Sequence, residues 1–127
     1  MKATARDLDW ITIPASVRPF AKAGQTFVTA GRVYPVVGVS VYKAVSFYLV
    51  VDDLGMPQLI PSWCFNALPC PIPAGWVCTA GLGNGVELLL GPEFFASNLE
   101  TYSAVVDCEP QAMNAVFKYL KQASGVE

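Results

Sequence analysis

The sequence predicts a small α+β domain, a curled antiparallel sheet or partial barrel followed by one or two C-terminal helices. Three observations carry this. β-branched and aromatic residues crowd the stretch 32–60, glycine- and aspartate-bearing turns punctuate it, and helical spacing of apolar residues emerges only after Pro92. With 127 residues the chain has the length of one domain, and 1–127 is read as a single unit that can bury a core without metal or disulfide staples.

The elements follow in chain order. Gln25 to Ala30 reads as a strand ending at Gly31. Arg32 to Tyr42 carries Val33, Val36, Val37, Val39 and Val41 and reads as a long strand, with Pro35 and Gly38 marking an edge or a bulge. Phe47 to Asp52 is a second strand, expected to pair antiparallel with the first, and Asp53-Leu54-Gly55 supplies turn chemistry. Gln58 to Ile60 returns, and Trp63 to Asn66 reads as one helical turn capped by Ser62. This strand, hairpin, returning strand and helical turn resemble an SH3-like barrel. Trp76 to Ala80 and Val86 to Leu90 form a further hairpin about the run Gly81-Leu82-Gly83-Asn84-Gly85, in which Asn-Gly is the strong turn signal. Part of Pro92 to Asp107 is helical. A clearer helix starts at Glu109-Pro110, with Met113, Val116, Phe117 and Leu120 as the stripe expected to pack on the sheet.

Composition narrows the function. Hydrophobic residues make up 54% of the chain and charged residues 14%, an apolar surplus that fits either a well-filled core or a surface that meets a partner. The eight lysines and arginines are scattered and the net charge is −2, so no basic stripe exists for nucleic acid. Apolar runs are too short for a membrane helix, and the first sixteen residues lack a signal-type apolar core, so a cytoplasmic location is expected. In that reducing setting the four cysteines, Cys64, Cys70, Cys78 and Cys108, are read as free thiols acting as buried small hydrophobes; their spacings fit a zinc site poorly.

Catalytic chemistry finds little support. With no histidine, neither a Ser-His nor a Cys-His pair can be built. Asp52 and Asp53 are adjacent and would point to opposite faces of a strand, so turn formation explains them better than acid-base pairing. The run 81–85 lacks the lysine and the following helix of a phosphate-binding loop. The acidic residues show no metal-ligand spacing. The reading is therefore a non-enzyme without cofactor or metal.

Three pieces point further: Gly31-Arg32-Val33-Tyr34-Pro35-Val36-Val37-Gly38-Val39, then Tyr48-Leu49-Val50-Val51-Asp52-Asp53-Leu54-Gly55-Met56-Pro57, then Leu59-Ile60-Pro61-Ser62-Trp63-Cys64-Phe65. This stretch resembles small proteobacterial immunity proteins of polymorphic toxin systems, with their G-[KR]-x-Y-x-V strand, Y-L-[VI]-x-D-D-x-G-x-P hairpin and P-[SA]-x-x-F turn. The resemblance covers about residues 31–65 and implies a domain that binds a cognate toxin protein and blocks it by occlusion. An SH3-like adaptor or regulatory module, phage or mobile-element borne, and a homo-oligomer that hides its apolar surplus stay open beside it. Loops on a rigid sheet are the expected contact points. The candidates are Asp52 and Asp53 in one turn, and Asn84 with nearby Glu87 in the other.

Overall fold

The computed structural model describes residues 1–7, 13–20, 28–67 and 71–125. Among these residues seven strands are followed by three helices: β1 Lys2–Ala5, β2 Val33–Tyr42, β3 Val45–Val51, β4 Pro57–Pro61, β5 Phe65–Ala67, β6 Val77–Gly83, β7 Val86–Gly91, α1 Glu93–Ala96, α2 Leu99–Val106 and α3 Pro110–Gly125. The fold is α+β, and every strand pairing is antiparallel.

The sheet curls because of β2. Its first residues pair with β1, while the stretch from Val36 onward pairs with β3, and β7 joins at Val39 to Tyr42. The register slips between Val36 and Gly38, a bulge of the kind that bends a strand and strengthens its twist. The hydrogen-bonded path runs β4-β3-β2-β1-β5. Its two end strands are consecutive in the chain, joined only by the 3-10 turn Ser62–Cys64. Such a short link requires the path to curl back on itself.

The curl leaves an apolar cluster on each face. Val37, Leu49 and Leu89 meet Phe95, Val105 and Val116 from the helices. Tyr34, Val36, Val50, Ile60 and Phe65 pack with Ala3, Ala5 and Cys64 on the other side. A smaller cluster forms where Ile13 and Val17 cover Val45 and Phe47. The helices approach closely because two glycines make room for Phe95. A Cβ on Gly38 would lie 2.6 Å from the Phe95 ring, and one on Gly91 would lie 3.1 Å from it. Trp76 adds a polar tie, its Nε1 donating to the Tyr119 hydroxyl at 2.8 Å.

The long β2–β3 pairing and the hairpin about Asn84-Gly85 agree with the sequence, and both Asn84 (φ 54°) and Gly85 (φ 82°) adopt the left-handed conformation. Several expectations are corrected. Ser62 does not cap the helical turn. Pro61 holds the cap position with no side-chain bond, and Ser62 hydrogen-bonds Ser46 across the hairpin. The turn ends at Cys64, and Phe65 and Asn66 are extended because β1 offers them a ladder. The strand expected over Gln25 to Ala30 lies outside the described residues up to Phe27, and Val28 to Ala30 form none. In α3, Val116 is fully buried and Met113 and Leu120 pack partly, but Phe117 is 43% exposed. Cys64 is buried as expected, whereas Cys78 and Cys108 are exposed; Cys70 lies outside the described residues.

Candidate functional site

The four residues singled out by sequence occupy two separate places. Asp52 and Asp53 follow β3 at its C-terminal end, while Glu87 meets the turn that precedes β3. The seven residues of β3 stand between them, roughly 20 Å at the rise of a strand.

Asp52 is buried, and its carboxylate is taken up by the hairpin. Oδ1 accepts the backbone N–H groups of Leu54 at 2.9 Å and Met56 at 3.0 Å, and Oδ2 accepts from the Gln58 amide. It is an aspartate that folds its own turn.

Asp53 turns the other way and gathers residues around the start of β2. Its Oδ1 accepts from the Tyr34 hydroxyl at 2.5 Å and from Arg32 at 2.9 Å; its Oδ2 accepts from the Thr29 hydroxyl at 2.7 Å. Thr29 also donates its backbone N–H to the Tyr34 oxygen. The Tyr34 and Thr29 hydrogen bonds, with the Arg32 charge, hold the Asp53 carboxyl below its ordinary range. Burial, reinforced by the hydrogen bond to Asp53, pushes the Tyr34 hydroxyl up.

At the opposite end, Lys43 (φ 48°) and Ala44 (φ 63°) form a two-residue turn in the left-handed region, which neither residue favours. Two bonds support it: Glu87 Oε1 accepts the Ala44 N–H at 2.7 Å, and Lys43 donates its N–H to the Gly85 carbonyl at 2.9 Å. Glu87 therefore serves a neighbouring hairpin, and Asn84 supplies the left-handed residue of its own.

A different feature draws the exposed apolar residues together. An apolar cleft of about 440 Å³ opens between the β3–β4 hairpin and the end of α2. Leu49 forms part of its lining from β3, and Met56 and Leu59 come from the hairpin and β4. Val105, Val106 and Cys108 form the facing wall. Its mouth is greasy: Met56 is 43% and Val106 48% exposed, and Leu54, two residues from Met56, is 67% exposed. Gln58 also lines it, but its amide is already engaged by Asp52.

The α2 wall is built by a left-handed cap. Cys108 (φ 55°) donates its N–H to the Val105 carbonyl, and Glu109 donates to Ala104, the bonding pattern with which helices commonly end on a glycine. Here a cysteine stands at that place, with Asp107 and Glu109 on either side, both exposed. Sequence reading missed this cleft because its walls lie some fifty residues apart in the chain. The signal available was Leu54 and Met56, two large apolar residues in a turn where polar ones are usual. Among the described residues no group of three or more histidine, cysteine or carboxylate side chains converges as a metal site would require. Among the described residues no helix is long and apolar enough to cross a membrane.

Comparison with known proteins returns no match to a family model, a curated protein or a solved structure.

Proposed function

We propose that this domain acts by binding a partner protein through the face formed by the β3–β4 hairpin and the end of α2, and that the partner is a toxin which the domain occludes one to one. The observation that carries the reading is the cleft with exposed Met56 and Val106 in its lining and exposed Leu54 two residues from Met56 on the same hairpin. Such groups in water mark contact surfaces on soluble domains. Asp53 stands beside Leu54 on the same hairpin, with its carboxylate engaged by Tyr34, Thr29 and Arg32 and outside the cleft lining. The toxin assignment is supported by the resemblance of residues 31–65 to immunity proteins, since the hairpin 52–57 lies within that stretch. Occlusion needs only a rigid surface and calls on no reacting group of the domain.

The test is co-expression with the product of the gene beside its own. The expected outcome is that this product arrests growth, that the domain restores it, and that the two co-elute one to one. Leu54→Asp and Val106→Asp, checked for folding by circular dichroism, should lose the protection. A harmless neighbour, or a toxic one against which the domain gives no relief, overturns the toxin assignment. Full protection by both folded variants overturns the face.

A further inference from the structure

We infer that the cleft between β4 and α2 receives a partner segment with a large apolar side chain as its anchor and lysine or arginine beside it. This rests on the reading of the domain as a protein-binding module and names the chemistry of what it binds. Leu49 and Val105 at the floor of the cleft are already buried, so the apolar surface it offers is that of Met56, Leu59 and Val106, while its polar member, Gln58, is held by Asp52. An occupant therefore gains by burying apolar surface, not by hydrogen bonding.

The rim decides between a small molecule and a protein. A small molecule inside would leave Leu54, which is outside the lining, in water, whereas a protein segment laid across the mouth covers it together with Met56 and Val106. Strand addition to β4 is a poor alternative. Pro57 and Pro61 carry no N–H groups, and prolines on an edge strand blunt it against pairing.

Charge sets the flanks. Asp107 and Glu109, both exposed, bracket Cys108 on the α2 wall. Among the described residues no lysine or arginine lines the cleft, and Arg32 is paired with Asp53. The lysines of α3, Lys118 and Lys121, lie two or more turns beyond its start at Pro110. An apolar anchor with cationic neighbours thus meets complementary charge, which speeds encounter and rejects acidic competitors.

The experiment selects binders from a library of random peptides displayed on phage, with the full-length chain immobilised. The strongest binders are then synthesised and titrated while amide chemical shifts are followed. The expected selection is enriched in Trp, Phe, Leu or Met beside Lys or Arg. Shifts should concentrate at Met56, Leu59, Val106 and Cys108. Replacing the basic residues of a selected peptide with glutamate, or reversing the rim with Asp107→Lys and Glu109→Lys, should weaken binding about tenfold, with strong salt dependence. Val106→Asp should weaken it by at least as much. Each of the following overturns the inference: no selectable binder, neutral or acidic flanks that bind equally well, or shifts centred elsewhere. So does a concentration-dependent dimer of the free chain with shifts at Met56 and Val106, because a second copy would then be the occupant. Protection against a toxin is scored separately. Selected basic peptides at the cleft without protection would sink the toxin assignment and leave this inference standing.

Discussion

The Tyr34 hydroxyl donates to the Asp53 carboxylate across 2.5 Å, tying the first turn of the β2 ladder to the hairpin between β3 and β4. The same carboxylate holds Thr29 and Arg32, so one exposed aspartate ties the start of β2 to the hairpin that bears Leu54 and Met56.

That arrangement has a pH signature. The Asp53 carboxyl is held below its ordinary value of 3.8, first by Tyr34 and then by Thr29. A depressed folded-state value means that its contribution to stability is present above pH 3.8 and is lost as the pH falls through the lower, folded value. Asp53→Asn should therefore lower the thermal midpoint at neutral pH, and the gap to the wild type should narrow as the medium is acidified below 3.8. Melting curves across that range check it, and a gap independent of pH would contradict the assignment.

Packing of the helices on the sheet depends on Gly38. With Phe95 Cδ2 and Cε2 only 2.6 Å from where a Cβ would stand, Gly38→Ala must displace the ring, at a cost of about 1–3 kcal/mol. In the pair Gly38→Ala with Phe95→Leu, the loss should be smaller than the sum of the two single losses, because the shorter side chain yields the space. Urea unfolding of the four proteins measures this coupling; strict additivity would show that the ring moves aside freely.

Two non-glycine residues in the left-handed region predict stabilising changes. Ala44 and Cys108 both hold positive φ in turns whose backbone bonds do not use their side chains. Ala44→Gly and Cys108→Gly should each raise stability by about 0.5–1 kcal/mol, relief of the left-handed strain outweighing the added chain entropy. Denaturant midpoints are the readout. A loss of stability in Cys108→Gly would mean that the thiol packs to greater effect than its exposure implies.

The thiols should separate by reactivity. Cys78 and Cys108 are exposed, and a disulfide reagent near pH 8 should label them fast while Cys64 in the native domain reacts slowly. The Cys64 thiol is pushed up to about 11 from 9.0, mainly by burial, with the Arg6 charge opposing. A raised folded-state value gives stability that is complete below pH 9.0 and fades as the pH climbs towards 11. Cys64→Ala should flatten that part of the stability profile. Equal slopes for the two proteins would place the alkaline loss on other groups.

Much of this molecule is local in origin, and that part could be read from the chain. Valines and aromatics made β2 and β3 recognisable, Asn84-Gly85 and Asp52 to Gly55 marked their turns through their own side chains and φ preferences, and Val116 announced the buried side of α3 by its spacing. What the chain did not disclose was decided by contacts between distant residues. β1 is four residues with no strand signature of its own, and it exists because β2 and β5 both pair with it. The Lys43-Ala44 turn contains no turn-forming residue and is held by Glu87 from another hairpin. Phe117 carries the same apolar spacing as Val116 but looks outward, because periodicity reports that a helix has an apolar side and not how wide the covering surface is. The cleft follows the same rule. Leu54 and Met56 stood out only as odd residues in a turn; the place of Met56 in one cleft with Val106 and Cys108 depended on how α2 settles over the curled sheet, which is a property of packing and not of any one segment.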